Sequence, residues 1–243
     1  MDGVLRCSKY AFGPNRLHYC GPDANREIYD YINDGATDPG LEALLKGFQT
    51  MFPYLRHIAH ANNIADPFDE RVVEAYWLGN ELLDTIEKKV FWRHLVDDHK
   101  IPKRIGKKSF SYIEHKIERG AVPNHSFHVL NIWKRTGHKD EPQTLESMDS
   151  CRISWGKVTA IDGPAITVLT EPLIMRERKL ALGDPISKKV TRNLETEIAI
   201  DELKIGDIVS IHWEIPCEVI TQKQASQLRR FTLRHIALAN ETI

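Results

Sequence analysis

The chain has 243 residues, 42% hydrophobic and 28% charged, with 33 Lys/Arg against 34 Asp/Glu and a formal net charge of −1. That balance belongs to a folded globular chain rather than a disordered one, and it supplies no global field to attract nucleic acid or an acidic membrane. No apolar run reaches the roughly 20 residues a membrane helix needs, and MDGVLRCSKYAFGPNR lacks the basic-then-apolar order of a signal peptide, so a cytoplasmic protein is expected.

In chain order, FGPNRLHYCGP is bounded by two Gly-Pro pairs and is expected to form a compact loop. Residues 23–120 then read as helix. Pro22 and Asp23 are start signals for PDANREIYDYIND, which puts Ile28, Tyr31 and Ile32 on one face. DPGLEALLKGFQTMFPYLRHIAHANN carries Leu41, Leu44, Leu45, Phe48 and Met51 at helical spacing. Pro53 must kink or break that helix, because proline lacks the amide hydrogen and its ring clashes with the preceding turn. ADPFDERVVEAYWLGNELLDTIEKKVFWRHLVDDH is expected as the clearest helix, capped by Asp66, with Pro67 in its first turn and Asp69 and Glu70 at its positive end. Its apolar stripe is Val73, Tyr76, Trp77, Leu83, Ile86, Val90 and Phe91.

After residue 120 the helical period fades. VPNHSFHVLNIW is expected as a short strand, and GHKDEPQTLES as the polar linker at a domain boundary. From Cys151 the period becomes two. Strands are expected in CRISWGKVTAI, AITVLTEPL, EIAIDEL and IVSIHWEI, with turns at Asp162-Gly163 and Gly206-Asp207. Residues 171–196 read as a long basic connection, and TQKQASQLRRFTLRHIALAN returns to helical spacing. The expected fold class is α+β, an all-α domain over 1–145 followed by a small β-barrel with a C-terminal helix over 146–243.

The four cysteines, Cys7, Cys20, Cys151 and Cys217, form no CxxC pair, which excludes the usual structural zinc patterns and suits free thiols in a reducing compartment. In the helical half, His57 and His60 lie three apart and share a helix face, a spacing that fits either metal ligation or a polar surface. His125 and His128 have the same spacing, which on a strand sends them to opposite faces. Cys7, His18 and Cys20 are close in sequence and make a soft-ligand site conceivable beside the plainer reading of loop and core residues. No Gly-rich phosphate loop, GxSxG elbow or HExxH motif is present.

The second half carries an ordered set of elements: Cys151, Ile153, Gly156, Lys157 and Val158; then Ile161-Asp162-Gly163; then Leu203, Gly206, Asp207, Val209 and His212 in ELKIGDIVSIHWEI; then a helix entering at Ala225. Over roughly residues 148–235 this resembles the HypC/HupF family of nickel–iron hydrogenase maturation chaperones. The resemblance implies an OB-like barrel with a trailing helix. It also implies an iron centre bearing cyanide and carbonyl ligands, held in company with a HypD-like maturation protein and passed to a hydrogenase large-subunit precursor. Low-spin iron with strong-field ligands suits a soft, exchangeable thiolate. The family cysteine corresponds to Cys151 and the family histidine to His212, with Gly156 and Lys157 beside the thiol as partner-binding positions. In the family the cysteine follows the initiator methionine, whereas here LESMDS precedes it, so no free α-amino group stands at the site.

Two functions follow as expectations. One is a maturation-type assembly chaperone that binds or passes on an iron centre through Cys151. The other is a metal- or cofactor-dependent enzyme, with the helical half catalytic and the barrel a delivery arm. Residues 148–243 hold as many acidic as basic side chains, which offers no groove for a nucleic-acid backbone.

Overall fold

In the computed structural model, residues 2–132, 144–191 and 203–243 are described. The expected strand EIAIDEL, apart from Leu203, and most of the expected linker GHKDEPQTLES lie outside them. The chain is a mixed helix-and-sheet protein with helices first and strands plus a helix after.

The first helix, α1 (Gly3–Arg16), is started by Asp2, whose carboxylate accepts from the Leu5 amide at 3.0 Å. It runs through Gly13-Pro14, where the sequence reads as a loop. Helix α2 (Asn25–Asp34) ends on Gly35 in the left-handed region, a normal glycine stop. Helix α3 (Pro39–Lys46) has Asp38 as cap and proline at its start. Helix α4 (Met51–Ala61) takes Pro53 into its first turn, where the missing amide costs nothing, so the expected break falls before it at residues 47–50.

The long helix expected within residues 65–99 is three pieces: α5 (Glu70–Trp77), a 3₁₀ turn Glu81–Leu83 and α6 (Lys88–Asp97). Gly79, at φ +88°, stops the first, and Asn80 caps the next by accepting from Leu82 N at 3.0 Å. Asp69, rather than Asp66, caps α5. Helices α7 (Ile101–Ile105) and α8 (Lys107–Glu118) follow. The strand expected near His125 is instead the short helix α9 (His125–Phe127), running on as a π-helical turn, His128–Ile132.

Helix α10 (Leu145–Cys151) ends on the cysteine, so the thiol closes a helix instead of opening a strand. Strands β1 (Ser154–Asp162), β2 (Ala165–Thr170), β5 (Ile186–Thr191), β6 (Ile208–His212) and β7 (Ile215–Ile220) pair antiparallel in the order β5-β2-β1-β6-β7. Strands β3 (Leu173–Arg176) and β4 (Lys179–Leu182) form a separate hairpin. Three strands thus occupy the stretch read as a connection, because charged outward-facing residues mask the alternation there. Helix α11 (Gln222–Ala239) closes the chain behind a capping box of Thr221 and Gln224. Among the described residues no helix is long and apolar enough to cross a membrane.

The two halves share a core. The main apolar cluster joins Tyr10, Leu55, Tyr76 and Phe91 of the helices to Ile215 and Cys217 of β7 and to Leu228 and Phe231 of α11. A buried clasp crosses the same boundary. Arg6 bonds Glu218 through both Nε (2.9 Å) and Nη2 (2.8 Å), Nη2 also reaches Glu74 (3.1 Å), and Tyr10 donates to Glu218 at 2.7 Å.

Candidate metal centre

The tripeptide Phe12-Gly13-Pro14 sets the first ligand. Proline has no N–H, so Pro14 leaves the Tyr10 carbonyl without its intrahelical partner. His212 fills that vacancy, its Nδ1 standing 2.7 Å from the Tyr10 oxygen. A carbonyl only accepts, so Nδ1 carries the proton and Nε2 is left as a lone pair. Gly13 makes the approach possible, since a Cβ there would lie 2.7 Å from the His212 carbonyl oxygen. The Nε2 atom is buried beside the Cys151 backbone and makes no hydrogen bond of good geometry. Burial pushes the His212 pKa down to about 4, so the ring is neutral at physiological pH.

A polar knot sets the second ligand. Asn124 caps α9 by accepting from Ser126 N (3.0 Å), while its amide donates to the carbonyls of Ala75 (3.0 Å) and Tyr76 (2.9 Å). This ties the His125 turn to the end of α5. His125 Nε2 lies 2.8 Å from the Cys151 carbonyl and therefore donates, while Nδ1 accepts from the Tyr76 hydroxyl at 3.1 Å. Burial first, then the neighbouring His212, hold its pKa well below the usual value. Trp77 packs over both rings, 4.7 Å from His125 and 5.5 Å from His212 between centroids.

Cys151 is placed by its neighbours. The Trp213 amide donates to Ser150 O at 2.8 Å, and buried Arg152 is held by Asp149 (2.7 Å) and the Glu171 carbonyl (2.6 Å). Trp213 and Glu214 both adopt positive φ, the two-residue hairpin geometry that follows the right-handed twist of β6 and β7.

One ligand atom each from His125, Cys151 and His212 lies within 4.8 Å of the others, and all three residues are buried. A thiolate with two imidazoles suits iron, cobalt, nickel, copper or zinc and does not suit magnesium or calcium. Three protein ligands leave a fourth coordination position open. Ligation requires the Cys151 thiol to lose its proton. Ligation through His125 Nε2 would break its bond to the Cys151 carbonyl and move the proton to Nδ1, where it would donate to Tyr76, a partner that fixes ring orientation from outside the site.

The resemblance-based pair, Cys151 and His212, is thus brought together, and His125 joins it from the helical half. His128 is turned away to Tyr54, its Nδ1 3.4 Å from the hydroxyl. His57 is buried in α4 and stacked on His94 at 4.2 Å, whereas His60 is exposed on the same helix. The Cys7–His18–Cys20 site is not assembled among the described residues. Cys7 is buried with its sulfur 3.3 Å from Met51 Sδ, and burial pushes its thiol up to about 12. His18 is exposed beside Asp23, and Cys20 is half-buried. Gly156 packs in β1 where a Cβ would lie 2.8 Å from Val168 Cβ, and Lys157 is exposed on the same strand. Sequence reasoning missed His94 and His99. The available signal was WRHLVDDH, where His94 and Asp98 stand four apart on α6 and its cap.

No curated protein and no solved structure matches this chain. All of it, residues 1–243, matches a family of unknown function (DUF6390), and the protein belongs to that family.

Proposed function

We propose that the protein is a metallocentre-assembly factor that carries a transition-metal ion on Cys151, His125 and His212. The observation that supports it is the proximity of three buried side chains, His125, Cys151 and His212, each offering a ligand atom within 4.8 Å of the others. An unsatisfied buried polar atom costs about 1–3 kcal/mol, a penalty that a bound ion removes. Following the HypC/HupF resemblance, the cargo is iron carrying cyanide and carbonyl ligands. The strands with α11 are read as the OB-like unit, and Gly156 and Lys157 flank the docking side for a HypD-like protein or a hydrogenase large-subunit precursor. Because Cys151 ends α10, a partner that displaces this one helix would expose the thiolate for exchange.

The test is metal analysis and infrared spectroscopy of protein purified anaerobically from its host. Stoichiometric iron with cyanide and carbonyl stretches, absent in Cys151→Ala, supports the reading. Metal-free protein that takes up no iron, cobalt or zinc in vitro overturns it. A second reading is a metal-dependent enzyme, favoured by the open fourth position that a three-ligand set leaves. Tightly held zinc without diatomic ligands selects it.

A further inference from the structure

A buried metal centre needs an access route, and the helical half contains a row of imidazoles that the site does not use. A surface cavity of about 560 Å³ is lined by Arg56, His57, His60 and Asp98. His57, at its wall, stacks on His94 with centroids 4.2 Å apart and planes 9° apart. His94 meets His99 at 4.7 Å, and His99 meets His128 at 6.0 Å. His128 stands one helical turn from His125, a ligand of the centre. The rings pack around Tyr54, which touches His94, His99 and His128 at 4.9, 4.6 and 5.7 Å.

These imidazoles are supplied with lone pairs. His94 Nδ1 is bound to Asp98 at 2.8 Å, leaving Nε2 without a partner. His57 Nε2 and both nitrogens of His99 are also buried and unpartnered. Leucine or phenylalanine would fill this space without orphaned polar atoms, so packing does not account for the row. Burial holds His57 down to about 3 and lowers His94, so at neutral pH the rings do not repel a cation. Among the described residues no three donors of this row converge as those of the Cys151 group do. That argues for transient sites of one or two ligands rather than a second resting place.

We propose that His57, His94, His99 and His128 form a loading route that passes a divalent transition-metal ion from the cavity beside His60 and Asp98 to the His125–Cys151–His212 centre. This rests on that centre being a metal site. The Asp98 carboxylate, shared between Arg56 (3.4 Å) and His94 (2.8 Å), marks the entrance; each imidazole replaces part of the ion's hydration shell, and the Cys151 thiolate retains it.

The experiment mixes metal-free full-length protein with cobalt(II) alone in a stopped-flow instrument. Thiolate-to-cobalt charge transfer reports arrival at Cys151, and d–d absorption without it reports cobalt on histidines. Wild type is expected to show d–d absorption first and charge transfer second. His99→Leu is expected to slow the charge-transfer phase by about tenfold or more while leaving its final amplitude and the affinity unchanged, as a change of path and not of destination requires. His57→Gln, at the cavity wall, gives the same reading if His99→Leu fails to fold by circular dichroism. Wild-type loading rates in both folded variants overturn the route. Absence of charge transfer in wild type at every cobalt concentration overturns the centre itself, a result distinguishable from the first.

Discussion

Replacing Gly13 with alanine puts one methyl group into the contact between α1 and β6. The new Cβ would stand 2.7 Å from the His212 carbonyl oxygen and 3.3 Å from Trp213 Cβ. The nearest atom is backbone, so no side chain can swing aside and the two elements must part. Helix propensity alone favours alanine by about 1 kcal/mol. Against it stand overpacking, about 1–3 kcal/mol, and stretching of the 2.7 Å His212–Tyr10 bond, which orphans a buried donor at about 1–3 kcal/mol. The net is a loss of about 1–5 kcal/mol. At mid-range, in a chain of this size, that lowers Tm by roughly 6–12 °C. Because the lost bond orients His212, cobalt affinity should fall by roughly 10–100-fold. Thermal melts followed by circular dichroism and a competitive cobalt titration measure both. A Gly13→Ala protein that melts above wild type and binds cobalt with wild-type affinity would refute the reasoning, leaving propensity as the whole effect.

Tyr76→Phe removes the outer partner of His125 Nδ1 and should weaken cobalt binding by roughly 10-fold or more with the fold intact; unchanged affinity counts against His125 as a ligand. Arg6→Met strands buried Glu218 and should cost about 3–5 kcal/mol in urea denaturation, with Arg6→Met/Glu218→Gln recovering much of it. A single-variant loss below about 1 kcal/mol would make the clasp dispensable. Burial holds His57 and His235 down to about 3 and His212 to about 4, against roughly 6.5 in the unfolded chain. Above about pH 6.5 both states carry neutral rings; below it the unfolded chain takes up protons that the folded chain cannot. Stability should therefore fall on acidification from about pH 6.5 toward 4, by about 1 kcal/mol per pH unit for each imidazole. Urea midpoints between pH 8 and 5 test this, and a midpoint that holds or rises in acid contradicts it.

Local chemistry made part of this protein legible. The alternation of β1 and β2 and the helical spacing of α11 are properties of neighbouring residues, so they survive in a one-dimensional reading. Gly79-Asn80 carried its own stop-and-restart signal within the stretch expected as one helix, and the apolar stripe around it hid that signal. Cys151 and His212 were identifiable through an ordered pattern of turn and strand residues.

Longer-range contacts decided the rest. Gly13-Pro14 punctuates like a loop in the sequence, yet α1 runs through it, because the hydrogen bond that Pro14 cannot make to the Tyr10 carbonyl is replaced by His212, almost two hundred residues away. His125 is a ligand candidate only because Asn124 folds its segment into a helical turn against α5, and α10 then lays Cys151 beside it. The imidazole row draws His57, His94, His99 and His128 from separate elements around Tyr54. Propensity and period act over a turn or a strand pair. Whether buried lone pairs converge depends on how packed elements meet, and that is determined by the shared core of the two halves.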